Sequence, residues 1–306
     1  MTIKRLSTLL STLLVLIGFT VQAQTKDTPS VSTAQNALLW EITGKGLTKP
    51  SYIYGTIHLI PKSDFFLTDA TKKALNESQK VMFEINMKDM QNPMLILSIM
   101  SKAIMPRGQK LRDLISKEDY ALVKARFEEI GMPLPMLESI KPMFLSAMVE
   151  GGGSPMDTSG KEATTAYEME IMKIADKDKK EMGGLETMEF QMGIFDSIPL
   201  KTQAEMLVKS IKSVNNGESE FKAMVELYKS QDIEAMAGTM KGGEENELSK
   251  YEGILLTSRN KNWIPLIAKN SAGKSTFYAV GAGHLGGEMG VVNLLRQEGF
   301  TLKPLK

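Results

Sequence analysis

Three short apolar runs near the start of the chain, with a helical stretch between the second and third, constrain the fold most. The runs are residues 37–43 (ALLWEIT), 50–60 (PSYIYGTIHLI) and 81–87 (VMFEINM), all rich in aliphatic or aromatic residues. The first two are joined through Gly44-Lys45-Gly46, which is typical of a hairpin. Residues 64–79 place apolar side chains at helical spacing. The last two runs and this helix therefore predict a βαβ unit with parallel strands.

A second unit of this kind lies near the end of the sequence. Residues 275–285 (STFYAVGAGHL) form a predicted strand, a helix follows over 287–298, and 301–305 form a final strand. The middle section, about 88–270, is mostly helical in pattern. We predict an α/β fold with a central, mostly parallel sheet and extensive helical layers, in a single domain over 37–306.

Three features of the middle section are more local. Glycine, serine and proline over 151–160 predict a loop, and a helix is expected over 161–178. A short strand is expected over 180–184, before a further helix.

The charge balance and the absence of cysteine exclude several classes of protein. The 306 residues include 37 Lys and Arg against 36 Asp and Glu. Nucleic-acid binding usually shows a strong basic excess, so no nucleic-acid partner is expected. The chain contains no cysteine, which excludes disulfides, thiolate nucleophiles and cysteine-ligated metals.

The first residues indicate export. Two basic residues precede an apolar stretch from Leu9 to Val21, and Val21-Gln22-Ala23 then matches a signal-peptidase site. The alternative, a retained membrane anchor, needs about 20 apolar residues, more than this stretch has. We interpret 1–23 as a signal peptide and 24–36 as a polar tether. The mature protein is expected to be soluble, periplasmic or secreted, and to meet the membrane only through its leader during export.

The two histidines of the chain share one local pattern. Each follows a glycine by three residues, in Gly55-Thr56-Ile57-His58 and Gly281-Ala282-Gly283-His284. With 25 glycines in 306 residues, chance would produce this coincidence roughly one time in 150. Both patterns end a predicted strand, and ligands bind at the carboxyl ends of parallel strands. The alternative for each is a structural histidine.

Glu84 lies near the end of the third apolar run. Its neighbours Val81, Phe83 and Ile85 would point to the opposite face of the strand. A carboxylate buried on a central strand needs an ionic partner, a metal or a catalytic role. The alternative is a carboxylate at the rim of the sheet.

Three further polar residues are candidates for the same site. Glu186 is expected in the first turn of the helix after 180–184, where it would serve a site or only complement the helix dipole. Arg259 would orient a substrate carboxylate or a developing oxyanion, or else form a surface ion pair. Asn260 offers an amide beside it.

Together these motifs resemble those of the TraB/GumN family over nearly all of the mature chain. The segments are GTIH ending at His58, FEIN with Glu84, GGLET with Glu186, SRNKNW with Arg259 and Asn260, and YAVGAGHLGGEMGVVNLL with His284. The family includes the Tiki-type metalloproteases and is related to the erythromycin-esterase-like and haem-binding ChaN-like proteins.

The resemblance implies an α/β fold of the erythromycin-esterase and ChaN type. It also implies that His58, Glu84 and His284 converge at one site, with Glu186, Arg259 and Asn260 as further members. One residue departs from the family pattern: many relatives carry aspartate where this chain has Asn86. An amide is a weaker metal ligand than a carboxylate, so Asn86 weakens the case for a metal site that depends on that aspartate.

These residues predict a hydrolase that acts on peptide, amide or ester bonds. Two histidines and a glutamate suit a divalent metal such as Mn, Co or Zn, with His58, Glu84 and His284 as ligands. One alternative is a metal-free esterase in which a histidine is the general base. Another is a protein that sequesters a peptide or haem without turnover. The expected partner is a peptide or small-molecule substrate.

The leader pattern predicts that the mature protein begins at Gln24. N-terminal sequencing of the protein from the native cell envelope would check this. Recovery of a retained Met1, or recovery only with the membrane fraction after a salt wash, would contradict cleavage.

Overall fold

A computed structural model describes residues 36–150, 164–212, 214–241 and 247–306. The predicted leader, all but the last residue of the predicted tether, the loop over 151–160 and the first residues of the helix predicted over 161–178 lie outside the described residues. The strands are β1 Leu39–Gly44, β2 Ser51–Thr56, β3 Ile60–Pro61, β4 Lys80–Ile85, β5 Thr164–Thr165, β6 Glu181–Glu186, β7 Thr276–Gly281 and β8 Phe300–Leu305.

Helices account for most of the remaining described chain. They are α1 Asp69–Glu77, α2 Pro93–Lys102, α3 Lys117–Glu129, α4 Leu134–Leu137, α5 Pro142–Glu150, α6 Tyr167–Lys177, α7 Met188–Phe195, α8 Leu200–Lys212, α9 Val214–Lys229, α10 Ile233–Lys241, α11 Ser258–Gly273 and α12 Val291–Gln297. No helix in the described ranges is both long and apolar enough to cross a membrane.

Six strands form one mixed sheet in the order β6-β4-β7-β2-β1-β8. β7 pairs in parallel with β2 on one side and with β4 on the other. β1 pairs antiparallel with both β2 and β8, so β4, β7, β2 and β8 run in one direction. The α/β fold with a mostly parallel sheet is confirmed, and so is the predicted hairpin between β1 and β2. The strands of the first βαβ unit are parallel but not adjacent, because β7 lies between them.

The described residues form two compact units. One contains the sheet and comprises the described parts of 19–87, 162–185 and 219–306. The other comprises the described parts of 88–161 and 186–218. The prediction of one domain over 37–306 stays a prediction.

The sheet-containing unit has an apolar centre on its strands. All six residues of β2 are buried, as are five of six in β4 and in β7. Such continuous burial is typical of strands covered on both faces. The other unit is helical around a separate core, which includes the fully buried Val123, Phe127 and Leu207.

Several predicted element boundaries are wrong, and for two helices a side-chain cap or strand pairing explains the difference. The helix predicted over 64–79 begins only at Asp69, where the Thr68 side chain accepts from the Thr71 amide. The helix predicted over 161–178 is preceded by β5, whose residues pair with β3, and it begins at Tyr167.

Gly55 lies in β2 against the turn that follows β7. A Cβ at this position would lie 2.8 Å from Leu285 Cδ1 and 2.9 Å from Ala282 Cβ. These separations are shorter than those of packed carbon atoms. The glycine of the first GxxH motif therefore lets the strand approach the second motif.

Replacing Gly55 with alanine is expected to lower the free energy of unfolding by about 1–3 kcal/mol, because the new methyl group would displace the turn after β7. The matched control is Gly238→Ala on the exposed side of α10, where nothing lies within 4 Å of the added Cβ. Alanine there should match or raise stability by up to about 1 kcal/mol. Urea unfolding of both variants provides the measurement, and equal stability would contradict the close packing of Gly55.

Candidate active site

The carboxyl ends of three neighbouring strands place both histidines and Glu84 at one edge of the sheet. The register pairs Thr56 of β2 with Gly281 of β7, which aligns the ends of these two strands. His58 follows β2 by two residues, and His284 closes a short 3₁₀ turn that follows β7. Glu84 is the penultimate residue of β4, the other neighbour of β7.

Gly281 lies at the point where these side chains meet. A Cβ built there would be 3.3 Å from Glu84 Oε1, 3.6 Å from His284 Cδ2 and 3.7 Å from His58 Nε2. A side chain at this position would crowd all three groups. The structure thus brings His58, Glu84 and His284 together, while their catalytic roles stay predictions.

Arg259 and Glu84 form a buried ion pair within this cluster. Arg259 Nη2 donates to Glu84 Oε2 at 2.5 Å, and the Gly281 amide donates to Glu84 Oε1 at 2.8 Å. Burial raises the pKa of Glu84, but the charges of Arg259 and the histidines and the Gly281 amide outweigh it and lower the pKa to about 2. Arg259, for which a surface ion pair was the alternative, is instead buried within the cluster.

Hydrogen bonds on both ring nitrogens hold His284 in its neutral form. The Asn260 amide nitrogen donates to the Met289 carbonyl at 2.8 Å. The Asn260 oxygen therefore accepts from His284 Nδ1, at 2.6 Å. Arg259 Nη1 donates to His284 Nε2 at 3.1 Å. Burial is the main cause that lowers the pKa of His284 to about 3, and the positive charge of Arg259 lowers it further.

The start of α11 directs Arg259 and Asn260 into the site. A π-helical turn, Gly253–Thr257, leads into this helix. Arg259 Nη1 also donates to the Leu255 carbonyl in that turn, at 3.2 Å. One turn further along the helix, the Trp263 ring lies 4.5 Å from the His284 ring and 5.0 Å from the Arg259 guanidinium carbon. Single π turns are frequent at functional sites, and here such a turn comes just before Arg259.

His58 has a different environment from His284. Its Nδ1 lies 3.0 Å from Glu168 Oε1, and its side chain is 23% exposed against 6% for His284. Burial lowers the pKa of His58, but the Glu168 carboxylate outweighs it and the net pKa is raised. Of the two histidines, His58 is therefore the more exposed to solvent.

Glu168 was missed by sequence reasoning. It lies in the first turn of α6, where an acidic residue is expected for the helix dipole alone. Its contact with His58 joins residues far apart in the chain, and no spacing rule connects them. No local pattern in the sequence marks this contact.

Glu186 does not lie where the sequence suggested. It is the last residue of β6 rather than part of a helix's first turn, because Thr187 caps α7 by accepting from the Phe190 amide. Its carboxylate accepts from Gln191 at 2.9 Å. Glu186 belongs to the helical unit, and its role in the site stays a prediction.

A divalent metal held jointly by His58, Glu84 and His284 does not fit this arrangement. Arg259 occupies Glu84 Oε2 and His284 Nε2, two of the atoms that a metal would need. Within the described part of the chain, no three His, Cys, Asp or Glu side chains are placed to hold a metal ion together. A permanent cation links Glu84 and His284 instead.

The fold and the cluster define an α/β protein with a polar centre of histidine, glutamate and arginine at the carboxyl edge of its sheet. The chain belongs to the TraB/PrgY/gumN family, whose model matches residues 38–304. The resemblance stated from the sequence motifs is thereby confirmed.

Curated relatives carry the name metalloprotease. Metalloprotease TIKI1 of Danio rerio is 22% identical over 88% of this chain and 63% of the relative. Metalloprotease TIKI1 of Homo sapiens is 22% identical over 88% of this chain and 62% of the relative. Metalloprotease TIKI2 of Xenopus tropicalis is 22% identical over 88% of this chain and 60% of the relative. The chain thus spans less than two thirds of the length of these relatives, and no solved structure matches it.

The low pKa of His284 predicts that stability falls as the pH drops from about 6.5 toward 3. Over this range the unfolded histidine binds a proton and the folded one does not, so the unfolded state takes up more protons and stability declines with falling pH. Replacement by glutamine, His284→Gln, should flatten the slope by up to about 1.4 kcal/mol per pH unit. Urea unfolding at a series of pH values tests this, and an unchanged slope in the variant would contradict a neutral buried His284.

Proposed function

We propose that this chain is a hydrolase that cleaves peptide or other amide bonds. One observation carries the proposal: His58 Nε2, Glu84 and His284 surround Gly281 within 4 Å of a common point. In open α/β sheets, ligands bind at the carboxyl ends of parallel strands. Three polar side chains that converge at such an edge are typical of a catalytic site. The relatives are named metalloproteases, which favours peptide bonds over esters as the substrate.

His58 acts as the general base in this proposal. Its Nε2 takes a proton from a water molecule while the water oxygen bonds to the carbonyl carbon of the substrate. The same proton then passes from Nε2 to the amide nitrogen as the carbon–nitrogen bond breaks. Acid and amine leave, and His58 returns to its neutral form. An ester would follow the same steps with oxygen as the leaving atom.

The electrostatic environment of the reacting carbonyl comes from His284, Glu84 and Arg259. Both ring nitrogens of His284 are engaged, so His284 is not placed to move a proton. The guanidinium of Arg259 is fixed by contacts to Glu84 and His284 and needs no rearrangement during the reaction. Preorganised charges of this kind stabilise the transition state more than mobile solvent does.

A metal-dependent hydrolase is the second candidate, and the names of the relatives favour it. A bound divalent metal would supply a Lewis acid and an activated water. Such a metal would have to displace Arg259 from Glu84 and His284. Retention of a peptide or haem without turnover would instead indicate a sequestering protein.

The setting of this activity is also a proposal. The leader motif supports export and a soluble, periplasmic or secreted enzyme. Its substrate would be a peptide or a small molecule, and it would meet the membrane only during export. The balanced charge of the chain gives no reason to expect nucleic acid as a partner.

Replacing His58 with alanine should lower the rate of hydrolysis of a mixed peptide library by about 10²–10⁴-fold, because the general base is lost. The rate of the unsubstituted protein should rise with pH through the raised pKa of His58, since only neutral imidazole accepts a proton. The control is Lys261→Ala, an exposed position on α11, which should keep full activity.

The same assay is run with and without a chelator. Full activity in chelator supports the metal-free route, and loss restored by Mn, Co or Zn would favour the second candidate. An unchanged rate in the His58 variant would contradict the proposed function.

A further inference from the structure

A carboxylate from a distant part of the chain contacts both His58 and the neighbouring Thr56. Glu168 Oε1 lies 3.0 Å from His58 Nδ1, and Thr56 Oγ1 donates to the same oxygen at 2.6 Å. The Glu168 side chain is only 13% exposed. A surface ion pair is solvated and mobile, whereas this carboxylate is enclosed and has a fixed direction.

We propose that Glu168 is a positioning residue that holds His58 in the tautomer protonated on Nδ1, with the lone pair on Nε2. An ionised carboxylate accepts hydrogen bonds and cannot donate, so its place beside Nδ1 selects this ring form. The consequence for catalysis rests on the proposed function, in which Nε2 takes the proton of water. A ring protonated on Nε2 would present no lone pair to that water.

Packing around the start of α6 fixes the direction of Glu168. The preceding residue, Tyr167, is fully buried, and its ring meets the Tyr228 ring at 5.3 Å between centroids. The Tyr228 hydroxyl donates to the Gly55 carbonyl at 2.9 Å. One aromatic cluster therefore holds both the helix that carries Glu168 and the strand that leads to His58.

The other carboxylate of the same helical turn shows that the contact is specific. Glu170 accepts from Thr165 Oγ1 at 2.8 Å and from Lys173 Nζ at 2.7 Å. Both glutamates lie where the helix dipole favours negative charge, and only Glu168 contacts a histidine. Glu170 is therefore a matched control for charge at this position.

Glu168 would also act during the proton transfer without changing its own protonation. When Nε2 takes the proton from water, the ring becomes a cation with Nδ1–H still directed at the carboxylate. The negative charge of Glu168 stabilises that cation at 3.0 Å. The proton leaves again through Nε2 to the amine, so no proton passes to Glu168.

The tautomer is measurable directly because the chain has two histidines. A long-range ¹H–¹⁵N spectrum of the full-length mature protein at pH 9 contains two imidazoles, and the spectrum of His58→Ala identifies each. We expect His58 to carry its proton on Nδ1 in the unsubstituted protein. In Glu168→Gln the charge is lost and the amide can donate, so the Nδ1–H form of His58 should be lost or reduced.

Two internal references accompany this measurement. Glu170→Gln should leave the His58 signals unchanged. His284, whose tautomer is held by Asn260, should keep its signals in every variant and so report that the site is folded. A proton on Nε2 of His58 in the unsubstituted protein would overturn the proposal even if the variants failed to fold, and so would identical His58 signals in Glu168→Gln.

The activity assay separates this inference from the proposed function. Glu168→Gln should lower kcat by about 10²–10⁴-fold with little change in KM, while Glu170→Gln keeps the native kcat. Absence of hydrolysis by the unsubstituted protein would contradict the proposed function alone, since the tautomer still decides the role of Glu168. Native kcat in Glu168→Gln, with hydrolysis present, would overturn the positioning role.

Discussion

The buried ion pair between Arg259 and Glu84 is the interaction on which the rest of the site depends. Removing two charges from water is costly, and the pair is stable only because its remaining hydrogen bonds are made, by Gly281 and His284. Loss of one partner would leave an unpaired buried charge, typically a cost of about 3–5 kcal/mol. The pair joins β4 to α11, and Gly281 adds β7, so one charge-neutral group holds β4 to two elements from the far end of the sequence.

This pair also explains why two identical motifs yield two different histidines. Arg259 lies against His284, which burial and that charge keep neutral and inert toward protons. His58 lies at the more exposed side, next to a carboxylate that raises its pKa. The motif GxxH places an imidazole at a strand end, and the chemistry of that imidazole comes from residues outside the motif.

The sequence was sufficient for most strands of the large sheet and for the three residues at its edge, but not for the order of the strands. Hydrophobic patterns locate strand ends, and parallel strand ends meet, so the proximity of His58, Glu84 and His284 follows from local information. The burial of Arg259 and the contact of Glu168 with His58 depend on tertiary packing, which periodicity does not record. The sequence placed Glu186 inside a helix that in the structure begins two residues later, at Met188, after the cap at Thr187. A difference of this size is within the usual uncertainty of helix ends.

The position of β7 between β2 and β4 limits when the centre of the sheet can form during synthesis. During synthesis the ribosome completes both flanking strands long before it reaches residue 276, and their shared neighbour is then still missing. Contacts of such long sequence separation form late and slowly. The pairing of β2 and β4 with β7 therefore cannot be completed until translation has passed Gly281.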